Sequence, residues 1–503
     1  MEIPYRYIEK IKINQHIKDP TKRRADALRM LLVILPDKPR KAHWKRLAAA
    51  DILEPRYRRL RRHDSDNRQL ITDLPGGTRV ILRSVRPDSS TFELLTIGRE
   101  LAAAVRPDDP AALAIQIAGF AAPDEARLVD ALTAALLASV CPMPCYKSGA
   151  GKPAALRRID IYGLAETRDL DQVRAETMGN HLARWLSALP PNELTPARYR
   201  KLVAVLAGRE GWRIRFLDTA ALARLKAGAF LAVAQGSPEK DAGIVHLSYR
   251  PARRGGRPLA LVGKGICFDT GGVNVKPAKH MNGMHEDMQG SAVALGTLLA
   301  LSELKTGHPV DCWLALAQNH IGSRAYKPND VVTACNGTSI EVIHTDAEGR
   351  MVLADTLALA CREKPHTLID YATLTGACVY SLSSRYSGVF SNRTTLHATL
   401  TAAGRDSGER VWPFPLDADF DEPLKSTIAD TLQCALEGEA DHILATRFLQ
   451  RFVDDVINWI HVDLAASHHK GGLGHIPTDT TGFGVRYSLN LLRQHALMDS
   501  TWN

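Results

Sequence analysis

The sequence predicts an α/β protein of two domains, each a mostly parallel or mixed sheet flanked by helices, joined by a long helical connector. Three observations lead there. Short apolar, β-branched runs alternate with helix-length periodic segments, the pattern of sheets covered by helices. At 503 residues the chain exceeds what one core holds, and 45% hydrophobic content is enough to bury two or three. Residues 167–189 form an unbroken helical pattern that stops at Pro190-Pro191, and a glycine-rich polar patch at 147–153 precedes it. The predicted boundaries are 1–165 for a basic N-terminal domain, 166–191 for the connector and 192–503 for the C-terminal domain.

In the first domain the predicted strands are 30–35, 79–85 and 113–117, with helices at 92–105 and 124–140. In the second, strands fall at 212–217, 243–249, 259–262, 312–317, 367–371 and 459–463. Its helices fall at 289–304, 351–364, 440–456 and 485–495. No internal repeat or long low-complexity tract interrupts them.

The formal charge of +9 is concentrated at one end. Residues 1–70 hold 19 Lys and Arg against 9 Asp and Glu, and the remaining 45 basic and 46 acidic residues nearly cancel. Clusters such as Lys22-Arg23-Arg24 and residues 56–62 suit a phosphate backbone, so a DNA-binding or scaffold role through this basic N-terminal region is the alternative function. The plainer reading is a solvated basic surface or a partly disordered arm, because no zinc-finger, RNA-recognition or basic-zipper pattern accompanies the charge. The eight cysteines lie mostly singly in apolar segments and read as reduced, buried thiols. The longest early apolar run, 30–35, is closed by Pro36 and is too short for a bilayer span or a signal core. The expected compartment is therefore the cytoplasm, with no membrane partner.

Several motifs fail. Residues 148–152 imitate a phosphate loop, but Tyr146 stands where the first glycine belongs and Pro153 replaces the hydroxyl residue. Gly263-Lys264-Gly265 has Phe268 where a dinucleotide fingerprint needs its third glycine. His468, His469 and His475 lack the spacing of zinc ligands and read as loop packing or a pocket rim.

Three blocks carry more. Residues 262–277, 284–292 and 344–355 bring Asp269, Asp287, Asp346 and Glu348, with Lys264, Lys276 and Arg350, into otherwise apolar, glycine-rich sequence. Each acid taken singly is a turn former or a helix-start residue. Together they have the charge that two neighbouring divalent cations need. Asp346 and Glu348 are two apart, so in an extended segment they face one side, at the mouth of an apolar helix. Asp269 is expected in a glycine-rich turn after the strand 259–262, where open α/β sheets bind ligands.

With these residues the chain resembles the cytosol (leucyl) aminopeptidases, two-metal exopeptidases whose signature is Asn-Thr-Asp-Ala-Glu-Gly-Arg. Here the heptapeptide stands as His344 to Arg350. The resemblance runs through residues 189–196, 228–237, the central blocks, 372–377 and 481–486, and covers roughly 180–490. It implies a C-terminal catalytic metallopeptidase domain, and a metal-dependent hydrolase that releases Leu-like or Met-like N-terminal residues from peptides.

The resemblance also implies roles. Lys264, Asp269, Asp287, Asp346 and Glu348 would bind two divalent ions per subunit, Asp269 and Glu348 bridging. Manganese or zinc is expected, with magnesium also compatible with the donors. Lys264 would have to be neutral to coordinate. Lys276 matches the catalytic lysine that stabilises the developing oxyanion. Arg350 matches the arginine that holds a bicarbonate ion, the family's general base. Met284 and Leu374 match apolar residues of the first side-chain pocket, and backbone near Leu374 and Gly376 would orient the peptide. Family members are homohexamers. His344 replaces the signature Asn, Gln289 a common Gly and Ser291 a common Ala; none of the three changes removes an implied ligand.

Overall fold

The computed structural model describes residues 4–149, 152–252, 255–495 and 497–498, so residues 150 and 151 of the glycine-rich patch lie outside the described residues. The chain divides into two compact units, one of Pro4–Thr177 with Leu473–Pro477, the other of Met178–Gly472 with the chain from Thr478 onward. The division falls inside the helix Asp171–Ser187.

The first unit is built on β1 (Lys12–His16), β2 (Met30–Pro36), β3 (Gln69–Asp73), β4 (Arg79–Val85), β5 (Ala112–Ile117) and β6 (Arg158–Tyr162). They lie in the order β1-β6-β5-β2-β4-β3, parallel except for the β3–β4 pair at one edge. Central β2 is buried at every residue, as a parallel strand covered on both faces must be. β1, β3 and β6 escape an apolar-run search because they mix polar residues into edge or near-edge positions. The basic block is not an arm. Residues 12–16 and 30–36 are strands, and the helix Ala50–His63 packs Leu53 and Tyr57 against Val33, Leu35 and Leu82. Part of the charge is paired internally, as in Arg46–Asp19 at 3.0 Å and Arg68–Asp37 at 2.9 Å.

The second unit carries β7 (Arg213–Asp218), β8 (Gly243–Tyr249), β9 (Leu259–Asp269), β10 (Val310–Asn319), β11 (Val331–Thr333), β12 (Ser339–Glu341), β13 (Thr367–Ala372), β14 (Ser387–Ser391), β15 (Val411–Pro413), β16 (Thr431–Leu432) and β17 (Asn458–Asp463). The main sheet runs β15-β14-β17-β13-β9-β10-β8-β7, and β11, β12 and β16 form a small sheet. The four central strands β17, β13, β9 and β10 are mutually parallel, and all four end on the same side.

Alternation along β9 sorts its neighbours. Ala260 and Val262 share a core with Met351, Leu353 and Leu357 of the helix Glu348–Cys361. Gly263 meets the helix Gln289–Glu303, and a Cβ there would stand 2.4 Å from Ser291 Cα. Helices thus cover both faces. That close approach requires glycine at 263, and the glycines at 263 and 265 interrupt the apolar run without interrupting the strand, which continues to Asp269, beyond its expected end at 262. The expected helix 440–456 stops at Gln450 and gives way to turns, in the last of which Val456 N and Ile457 N donate to Asp454. All eight cysteines are free thiols; Cys145 is exposed, and Cys335 and Cys361 are half-buried, against the expectation of general burial. No helix among the described residues is long and apolar enough to cross a membrane.

Candidate metal centre

The carboxyl ends of four neighbouring strands meet at one edge of the main sheet. Asp269 closes β9, Asn319 closes β10 in register with it, Thr373 follows β13, and Asp463 closes β17. Asp269 therefore sits on the strand itself, where the expectation put it in the following turn. The turn begins one residue later: Gly271 and Gly272 have φ of 87° and 68°, a conformation that glycine adopts without steric cost. Gly271 N donates to Asp269 Oδ1 at 2.8 Å, and Asn319 Nδ2 donates to the same oxygen at 2.8 Å.

Asp346 and Glu348 do not share an extended segment. Glu348 is the first residue of the helix Glu348–Cys361 and Asp346 lies in the turn before it, as the macrodipole favours. They converge all the same: ligand oxygens of Asp269, Asp346 and Glu348 lie within 4.8 Å of one another. Asn319 Nδ2 also donates to Thr345 O at 3.0 Å, tying the turn to β10. Gly349 has a packing reason, since a Cβ there would meet Lys264 Cε at 2.7 Å.

The two lysines occupy this acidic cluster. Lys264 Nζ lies 2.8 Å from Asp287 Oδ1, 2.9 Å from Glu348 Oε1 and 3.0 Å from Thr373 O. Lys276 Nζ lies 2.9 Å from Asp269 Oδ2 and 2.5 Å from Asp346 Oδ1. Four carboxylates against two ammonium groups leave a buried negative excess, which is costly without protons or further cations. The acids respond accordingly. Burial, reinforced by the charges of Asp269 and Glu348, pushes Asp346 up to about 7. Burial raises Glu348 and lifts Asp287 well above the carboxylate range. Burial works against the Lys264 ammonium, but Asp287, Glu348 and Asp269 outweigh it and hold the proton on. Lys264 and Lys276 thus stand in for cations, and the neutral Lys264 that coordination needs requires a metal's charge to reverse the balance. The donor set fits divalent ions: Asp287 Oδ2 is buried and has no hydrogen-bond partner among the described residues.

Arg350 is held apart from the acids. Its Nη2 donates to both oxygens of Asp441 at 2.9 Å, while Nε and Nη1 are buried without hydrogen-bond partners among the described residues. His344 Nδ1 accepts from Asp346 N at 3.2 Å; burial and the nearby Lys276 and Arg350 charges lower its pKa. Met284 opens the short turn Met284–Glu286 that leads into Asp287. In that turn Glu286 accepts from Gln289 Nε2 at 3.3 Å and from Thr480 Oγ1 at 3.1 Å, and pairs with His468 Nδ1 at 2.9 Å. Ser291 Oγ donates to Tyr199 OH at 3.1 Å. Leu374 is half-buried against the core of the helix Glu348–Cys361, and exposed Gly376 opens the helix Gly376–Leu382.

Asn319, Thr373, Asp441 and Asp463 were not singled out from the sequence. Asn319 carried one usable signal, its place at the end of an apolar strand. Asp463 carried the same signal, as the last residue of the predicted strand 459–463, whereas Thr373 and Asp441 sit in contexts that read as ordinary loop or helix starts.

A charged, carboxylate-rich centre across the carboxyl ends of parallel strands lies where open α/β sheets bind ligands, and its donors are those of a metal-dependent enzyme of the α/β class. Residues 181–489 match the catalytic domain of the cytosol aminopeptidase family. A probable cytosol aminopeptidase of Synechococcus sp. (strain WH7803) is 40% identical over 348 residues, 69% of this chain and 70% of the relative. A mutant of tomato leucine aminopeptidase superposes with a TM-score of 0.83 at 27% identity, covering 96% of each chain. The bottromycin maturation enzyme BotP in complex with Mn gives 0.81 at 29% identity, over 93% of this chain and 100% of its own. The chain belongs to the cytosol aminopeptidase family and is a metal-dependent aminopeptidase.

Proposed function

We propose that the chain is a dinuclear aminopeptidase that releases Leu-like or Met-like residues from the N-termini of peptides. The observation that carries this reading is the convergence of Asp269, Asp346 and Glu348 beside the Lys264–Asp287 pair. Lys264, Asp269, Asp287, Asp346 and Glu348 would hold two divalent ions, manganese or zinc, with Asp269 and Glu348 the acids that would serve both. When bound, such a pair polarises a carbonyl and lowers the pKa of water.

The chain's own residues supply the rest. Asp287 is assigned to the substrate's free amine, which restricts cleavage to N-termini. Lys276 is assigned to the scissile carbonyl, where its ammonium stabilises charge that develops on oxygen. Arg350 is assigned to a bicarbonate ion, for which Nε and Nη1 are the available donors. Met284 and Leu374 are assigned to the first side-chain pocket, and backbone near Leu374 and Gly376 to the peptide. We place the catalytic domain at 192–503, the connector at 166–191 and the N-terminal domain at 1–165, in a cytoplasmic homohexamer. DNA binding at residues 1–70 has charge alone in its favour.

The test is hydrolysis of a leucine anilide after chelation and after manganese or zinc is restored, with Lys276→Ala and Glu348→Ala as controls. Metal-restored activity that vanishes in both variants is expected. Absence of activity across several N-terminal residues in a folded, metal-loaded protein would overturn the reading.

A further inference from the structure

One short segment serves both ends of the proposed chemistry. At Thr373 the carbonyl accepts from Lys264 Nζ at 3.0 Å and the hydroxyl donates to Asp287 Oδ1 at 2.7 Å. One and three residues later come Leu374 and Gly376, assigned above to the peptide. A shift of this segment would therefore disturb the ligands and the substrate together.

What holds it is a buried carboxylate from another strand. Asp463 Oδ1 accepts from Leu374 N at 3.2 Å, and Oδ2 accepts from Thr375 Oγ1 at 2.7 Å. Thr375 Oγ1 in turn accepts from Cys378 N, capping the helix Gly376–Leu382. Asp463 is itself anchored, since it pairs with Ala372 of β13 and Gly388 of β14. Beneath it, Asp370 of β13 binds His461 Nδ1 and Trp459 Nε1, each at 2.6 Å, so β17 is tied to β13 by side chains as well as backbone. A carboxylate buried this deeply costs free energy unless its acceptors are filled. Here the filling donors come from residues 374 and 375.

We propose that Asp463 is a positioning residue, holding residues 373–376 so that Thr373 orients Lys264 and Asp287 while Leu374 and Gly376 meet the peptide. The inference rests on the dinuclear reading. Lys264 and Asp287 bond directly to Thr373, whereas Asp269 and Asp346 are held from β10 and by Lys276, so loss of Asp463 acts on one ion far more than on the other. Partners that orient metal ligands typically contribute 10-fold to 100-fold in affinity.

The experiment is calorimetric titration of chelator-stripped full-length protein with Mn²⁺, alongside kcat and KM for a leucyl dipeptide. The proteins are the native chain, Asp463→Asn, Thr375→Val and Thr375→Ser. Native protein is expected to take two ions. Asp463→Asn and Thr375→Val are expected to keep one at native affinity, weaken the other at least about tenfold, and raise KM. Thr375→Ser keeps the hydroxyl and is expected to restore both. Two ions at native affinity with unchanged KM in Thr375→Val overturns the inference, and because that variant removes a single hydroxyl, the test holds even where Asp463→Asn does not fold. Native protein that takes no Mn²⁺ and cleaves nothing overturns the dinuclear reading itself, a result distinct from the first.

Discussion

Arg350 and Asp441 form an end-on pair in which one guanidinium nitrogen, Nη2, serves both carboxylate oxygens at 2.9 Å. The arginine is buried and Asp441 is partly exposed at the start of the helix Asp441–Gln450, where the macrodipole favours an acid. Removing the acid would leave a buried cation without compensation. Asp441→Ala is expected to destabilise the protein by about 1–3 kcal/mol and to lower kcat, while Asp441→Glu recovers part of both. Denaturant unfolding and steady-state kinetics on the same preparations check this.

The raised pKa of Asp346 predicts how metal affinity depends on pH. Below about 7 its carboxyl holds a proton, retained by burial and by the charges of Asp269 and Glu348, that a cation must displace. Affinity for Mn²⁺ is therefore expected to rise with pH through about 7, with proton release. Calorimetry in buffers of different ionisation enthalpy reads the released protons directly.

The same shift has a stability consequence of opposite sign in metal-free protein. The folded state retains this proton up to about 7, whereas an unfolded aspartate loses it near about 3.9. The folded state thus binds more protons in that window, and stability falls as pH rises across it. The melting temperature of chelated protein is expected to decline from pH 5 toward pH 7.5, and added Mn²⁺ to remove the decline.

Lys276 bridges Asp269 and Asp346 without belonging to the Lys264 group. Lys276→Ala is expected to reduce kcat by about 100-fold or more while metal content, measured by atomic emission, stays at the native level. Loss of metal in step with activity would instead make Lys276 a structural counter-ion.

Gly349 leaves room for the Lys264 side chain, whose Cε would lie 2.7 Å from an added Cβ. Gly349→Ala is expected to cost about 1–3 kcal/mol through overpacking and to weaken metal binding, because the added methyl displaces the Lys264 side chain from its place between Asp287 and Glu348. Thermal melts with and without Mn²⁺ separate the two effects.

The sequence alone determined the two-domain α/β class and most central strands, and it singled out Asp269, Asp346 and Glu348, which the fold brings together. It could do so because apolar runs, helical periodicity and the clustering of charge in apolar sequence are local properties of the chain. Edge strands such as β1 and β3 were not legible, since half-exposed strands have no continuous apolar run. Tertiary structure alone decided which residues support the acids. Asn319, Thr373 and Asp463 lie far apart in the chain, and only the strand order β17-β13-β9-β10 brings their carboxyl ends to one edge. The pairing of Asp441 with Arg350 spans 91 residues and depends on how two helices pack. Local sequence can show where charge is concentrated. How that charge is balanced depends on neighbours that the chain supplies only after it has folded.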